Sequence, residues 1–315
     1  IYWGFEGRLS QMSLIFVIFT AYFMCTEKLT AIGMNFLTIA FIVLAVSISF
    51  WILFRPETQQ SVKDAEENLH LYSWLDSNYL SLFLGTGIVV AVMKLMSGNV
   101  NKLYTAILLL SVVVISMALL ALASRGAILA TIIAVVTMYM FSKQGIEKKI
   151  DVTIIAVVLI YFLYTNQYFD FVLSRVEEED GSGTGRTDIW ASKFEVFCLK
   201  NNLFDWIFGI GHSAGILLGK DIGMFGGKGS STHNDYLSVL FYYGITGIVL
   251  FFSALAYPLR ICAKAVRPYI LAMLMFLMIS SMTIEPLARG NIAYWALFFY
   301  IMIFARQSQL SQKLK

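Results

Sequence analysis

The chain has 315 residues, of which 58% are hydrophobic and 14% charged, with a formal net charge of +3 and a mean hydropathy of +0.74. A soluble domain carries roughly a quarter charged residues, so these values exclude one water-soluble core and point to an all-α, polytopic bundle of membrane helices. Nothing in the charge pattern forms a basic patch for nucleic acid.

A bilayer core needs about 20 apolar residues per helix, and helices keep their backbone bonds internal, as hydrocarbon demands. The apolar runs predict about nine spans, at 10–26, 29–54, 79–97, 103–124, 126–142, 152–168, 236–257, 269–285 and 291–306. Residues 103–142 as one helix would measure about 60 Å, twice the hydrocarbon core. That stretch must turn, and its polar break is Ser124-Arg125-Gly126.

Basic residues set the orientation. With residue 1 and the loop 170–235 outside, the inner side holds 12 basic residues, among them Lys94, Lys143, Arg260 and Arg306, against three acids, Glu27, Glu147 and Asp151. The other 17 acids fall outside. An outside start at Ile1 without a signal peptide implies that earlier spans precede this sequence. Cys25 and Cys262 fall inside and Cys198 outside, so no outer disulfide forms within the chain and the three read as packing residues.

The chain reads as a single polytopic domain over 1–315 with one large outer loop, 170–235. Loops this long are functional or disordered, and this one carries Trp190 and Trp206 with several phenylalanines. Within it Glu177 to Gly185 reads as a flexible turn, and 186–200 as an amphipathic helix on the outer membrane surface. Trp190, Phe194, Phe197 and Cys198 share its apolar face, with Lys193 and Lys200 off it. Thr187 is the expected cap, which sets Arg186 beside a helix N-terminus. There free N–H groups, the positive dipole end and a bidentate guanidinium suit a pyrophosphate.

The three histidines, His70, His212 and His233, all fall outside, and their spacings match no zinc motif. His233 has two readings, a helix cap or interface residue, or a base or proton shuttle working near neutrality. Leu237, Leu240, Gly244 and Gly247 continue its helical face, and the glycines there admit close approach of another helix. Arg125 lies among Ala121, Ala123, Ser124, Gly126 and Ala127. It is either a snorkelling arginine at a boundary or a phosphate ligand at the end of a tightly packed hairpin. Glu285 and Arg289 share another outer turn, pairing with each other or adding Arg289 to the substrate-binding set. "GIGHSAG" (209–215) and "GGKG" (226–229) fit no phosphate-loop pattern and read as turn glycines.

Three elements in order carry a resemblance: "SRGAILA" at a span junction, "GTGRTDIW" then "FGIGHSAG" in the large loop, and "HNDYLSVLFYYGITG" leading into the next span. "WLDSNYLSL" (74–82) adds a fourth. Together, over about residues 70 to 300, they resemble the O-antigen ligase and polymerase superfamily of bacterial membrane glycosyltransferases, the Wzy and WaaL type. The resemblance implies a GT-C-like helical fold in the bacterial cytoplasmic (inner) membrane, with the active site facing outside. It implies an undecaprenyl-pyrophosphate-linked oligosaccharide donor, a glycan or lipid acceptor, and inverting transfer with no metal or other cofactor. Matched by motif, Arg125 and Arg186 hold the pyrophosphate and His233 assists the acceptor hydroxyl. Asn234 is placed to bond sugar or backbone, and Asp235 to orient His233. The segment between "GTGR" and "GIG" departs from the family in lacking a proline before the second glycine.

Three functions are therefore expected in turn: a surface-polysaccharide polymerase, a ligase moving a finished glycan to a lipid, cell-wall or protein acceptor, and a transporter or flippase. The last would carry charged or broken helices near mid-membrane and internal repeats, whereas here the polar residues cluster at the outer boundary.

Overall fold

The structure is a computed structural model and describes residues 31–54, 77–97, 101–170, 186–200, 202–211, 233–284 and 291–313. Every regular element among them is helical: α1 (Ala31–Phe54), α2 (Ser77–Ser97), α3 (Lys102–Ala121), α4 (Arg125–Phe141), α5 (Ile146–Thr165), α6 (Arg186–Lys200), α7 (Leu203–Phe208), α8 (Asp235–Ile261), α9 (Arg267–Thr283) and α10 (Ile292–Lys313). The expected spans from 29–54 onward coincide with α1 to α5 and α8 to α10. The expected span 10–26 lies outside the described residues.

Among the described residues four helices are long and apolar enough to cross a membrane: Ile32–Phe54, Ser77–Ser97, Lys102–Ala121 and Asp235–Ile261. Arg125–Phe141, Val152–Thr165 and Arg267–Thr283 are apolar but shorter. The expected break between two spans is real. Leu122, Ala123 and Ser124 separate α3 from α4, with Ala123 in the left-handed region at φ 51°.

Helix α2 is the central element. Most of its length is buried, and two of its glycines bring neighbours close: Gly85 faces Thr131 of α4 and Phe276 of α9, and Gly87 faces Ala45 of α1. Small residues do this work in membranes because lipid supplies no hydrophobic drive between helices, leaving packing to hold them. Several buried hydroxyls along the spans close onto their own backbone four residues earlier, as Thr86 does on Leu82 and Ser280 on Phe276, which keeps these satisfied without water.

Two belts of polar contacts mark the ends of the bundle. At one end Lys94 donates to Asn35, the Tyr269 hydroxyl donates to the Met96 carbonyl, and the Ala263 amide donates to Ser308. At the other, Ser124 Oγ donates to Asn78 Oδ1 at 2.8 Å, and Ser281 and Tyr294 share a 2.8 Å hydroxyl bond.

Helix α8 departs from the sequence expectation of one straight span. Gly244 sits at φ 63°, ψ −161°, which no helix contains, and the two arms fold toward each other. Tyr236 stacks on Phe252 with ring centroids 5.7 Å apart. Sixteen residues of straight helix would separate those positions by about 24 Å. The periodicity that carried one face from His233 through Gly244 to Gly247 therefore stops at the break.

Candidate active site at one end of the bundle

The break in α8 is covered by protein. Ile210 N donates to Phe241 O at 2.9 Å and Gly211 N to Tyr242 O at 3.2 Å, an extended strap laid along the backbone just before the break. A Cβ on Gly209 (φ 78°) would meet the backbone of Tyr242 and Tyr243, and one on Gly244 would meet the backbone of Trp206 and Ile207. The two glycines face each other across one seam, each giving the other backbone room. Non-helical backbone at membrane depth persists only where protein or a cavity satisfies it. Gly209 is thus more than a turn residue, and the helix that approaches Gly244 closely is the short α7.

Helix α6 packs on the same arm of α8. Phe197 is fully buried, with its ring 5.0 Å from Phe241 and 4.9 Å from Trp206. The buried stripe of α6 includes Lys193 and Phe197, while Phe194 and Cys198 are exposed. The expected face was therefore rotated: docking on α8 turns Lys193 inward, although sequence spacing set it outside. The helix also starts at Arg186, so Thr187 lies within its first turn rather than at the cap. Arg186 is placed by its backbone at the start of α6, and its guanidinium is outside what the structure describes.

At the start of α8, His233 adopts φ 49°, a left-handed conformation uncommon for a non-glycine residue. Asn234 follows as the N-cap, its Oδ1 accepting from Tyr236 N at 2.9 Å and Leu237 N at 3.2 Å. Through this cap Asn234 bonds backbone. Asp235 is fully buried, and its charge lies near enough to act on the phenols of Tyr236 and Tyr294. The Tyr236 hydroxyl in turn donates to the Met278 carbonyl of α9 at 2.8 Å.

Arg125 opens α4. Ser124 occupies the N-cap position but makes no side-chain cap bond; its hydroxyl donates instead to Asn78 Oδ1. Gly126 lies against Thr283, where a Cβ would collide with that side chain. The starts of α4 and α8 therefore both meet the last turns of α9, Met278 to Thr283. Through Ser281 and Tyr294 these turns link the Thr283 side to the Asp235 side. Arg125, His233, Asn234 and Asp235 thus belong to one end of the bundle.

Asn78, Ser281, Thr283 and Tyr294 join that end without having been singled out from sequence. The hydroxyl cluster in "SSMTIE" just before an acidic residue, and Asn78 within "WLDSNYLSL", were the available signals. Arg289, Glu285, His70 and His212 fall outside the described residues. Chemically, this end offers a guanidinium at a helix N-terminus, an imidazole, and a buried carboxylate close to two phenols.

Fold and site together define an integral membrane protein of helices with its chemistry-bearing groups gathered at one end. Residues 110–252 match the family model of O-Antigen ligase. That segment runs from within α3 past the break in α8 and contains Arg125, Arg186, His233, Asn234 and Asp235; over it the chain is similar to the O-antigen ligase family, as the sequence resemblance implied. The match suggests chemistry of the O-antigen ligase type, with lipid-linked oligosaccharide and a glycan acceptor as the general substrate classes. No curated protein matches the chain.

Proposed function

We propose that this protein polymerises a bacterial surface polysaccharide at the outer face of the cytoplasmic membrane. It takes glycan from an undecaprenyl-pyrophosphate donor and passes it to a sugar hydroxyl, with inversion and without a metal. The observation that supports this most is the meeting of two helix starts at the end of α9. One bears Arg125 with no side-chain cap of its own, and the other bears His233 beside Asp235.

The acceptor oxygen attacks the anomeric carbon from the face opposite the pyrophosphate. As the new C–O bond forms, the anomeric carbon–phosphate oxygen bond breaks and its electron pair leaves with the lipid pyrophosphate. Arg125 and Arg186 bind that leaving group. Fixed positive charge aimed at developing negative charge is a large term in catalysis, and here it takes the part that a divalent cation plays elsewhere. His233 accepts the hydroxyl proton and passes it to water after transfer. Asp235 orients the imidazole and compensates its charge. Arg289 is an additional substrate contact in this reading.

A ligase would use the same donor chemistry on a different acceptor, so the acceptor assay separates the two. Purified protein is given lipid-linked repeat units, either alone or with a lipid, peptidoglycan or protein acceptor, in EDTA. Chain growth from repeat units alone supports the polymerase. Transfer only to an added acceptor supports the ligase. Product lost on EDTA treatment removes the metal-free mechanism, and full activity in both Arg125→Ala and His233→Ala removes the site. The break in α8 is a feature that transporters also use. Movement of lipid-linked glycan across vesicles with no transfer would make the protein a flippase instead.

A further inference from the structure

The turn joining α6 to α7 has an apolar surface that no described element covers. Leu199 and Leu203 are each 77% exposed, Phe204 66% and Phe208 52%. Such a patch in water would be an association liability. The one charge in α7, Asp205, is tied into a capping box, accepting from Asn202 N while Asn202 Oδ1 accepts from Asp205 N.

Its position indicates what covers it. Helix α7 lies on the break at Gly244. The arm of α8 beyond the break runs 17 residues to Ile261, about 25 Å, close to the polar belt where Ala263 meets Ser308. A hydrocarbon core is about 30 Å thick, so α7 sits near its opposite border. From that point the same exposed apolar surface continues down α8 through Tyr243, Ile245, Val249 and Leu250. Trp206, Tyr242 and Tyr243 cluster at this level, where aromatic side chains favour the membrane–water interface.

We propose that the α6–α7 turn is an interfacial anchor, with Leu199, Leu203, Phe204 and Phe208 inserted among the acyl chains of the leaflet at the site end. The occupant of the patch is lipid, not a second copy of the chain. The anchor holds α6, and with it the backbone of Arg186, at the bilayer border. It does not depend on which reaction the protein performs.

The test uses the full chain in proteoliposomes, with Cys25, Cys198 and Cys262 replaced by alanine. Phe204→Cys and Phe208→Cys are compared with Thr187→Cys, an exposed residue in the first turn of α6. A membrane-impermeant maleimide is supplied on both sides of the membrane, so orientation does not matter. The anchor predicts labelling at 187 and its loss at 204 and 208, restored in SDS. Spin labels at 204 and 208 then collide with oxygen in preference to a water-soluble nickel chelate. Equal labelling at all three positions overturns the proposal. So does protection accompanied by 204–204 disulfide dimers under mild oxidation, which assigns the patch to a second copy. Positions 187, 204 and 208 are surface-exposed, so the cysteine substitutions there leave the bundle's packing intact.

Discussion

Helices α4 and α8 begin alike and finish their first turns differently. Each follows a non-glycine residue in the left-handed region, Ala123 at φ 51° and His233 at φ 49°. Each abuts the end of α9. Yet α8 is capped by its own Asn234 and carries an acid at its first position, so its dipole end is already answered. The N-cap serine of α4 turns away to Asn78 and a guanidinium stands at the first position. A helix start without a side-chain cap favours an incoming anion; a capped, acid-bearing one favours holding an imidazole in place. In the proposed mechanism the two similar backbone turns divide the labour, with α4 assigned to the leaving group and α8 to the acceptor. Strained backbone at both points fits the tendency of such conformations to gather at functional sites.

The largest expected effect comes from His233→Ala, which removes the proposed proton acceptor and should lower kcat by about 10²- to 10⁴-fold, measured as glycan product formed per enzyme. Next is Arg125→Ala, with a loss of about 10²- to 10³-fold. Free pyrophosphate should compete with donor in the wild type and compete less well in this variant. Arg125→Lys should recover only part, because an ammonium lacks the bidentate fork. If pyrophosphate competition were instead lost in Asn234→Ala and kept in Arg125→Ala, the division between the two helices would be reversed.

A structural perturbation comes third. Gly244→Val puts a side chain into the backbone of Trp206 and Ile207 at a positive φ, a strain of about 1–3 kcal/mol. The expected result is a lower thermal midpoint in detergent and greater protease sensitivity of the loop carrying α6 and α7. The smallest effects sharpen the comparison itself. Asn234→Ala should cost about 1 kcal/mol as a lost cap. Ser124→Ala should cost about 0.5–1.5 kcal/mol through the Asn78 hydrogen bond, and that loss should vanish in an Asn78→Ala background. A Ser124 effect independent of Asn78 would mean that serine caps α4 after all.

Much of the bundle was legible because hydrocarbon makes one demand, a long apolar helix, that any window of sequence reveals. The turn at Ser124 followed from length alone. The break at Gly244 did not, because "YYGITGIVLFF" is as apolar as an unbroken span. What stops the helix there is the strap at 209–211 lying some 30 positions earlier in the chain. Lys193 was misplaced for a similar reason: its burial follows from the face of α6 that Phe241 receives. Arg125, His233, Asn234 and Asp235 were singled out from local chemistry and motif order. Thr283, Ser281, Tyr294 and Asn78 look like ordinary polar residues at span ends until the helices are assembled.

By itself the sequence determined the helical membrane class and most helix positions, and it singled out candidate polar residues, since each depends on composition within a short window. Only the tertiary structure decided which apolar helix is central, where α8 bends and which helix starts share one end. The reason is that lipid and helix interior are equally apolar, so hydropathy cannot tell a lipid-facing surface from a packed one. Small residues and backbone hydrogen bonds between segments distant in sequence make that choice.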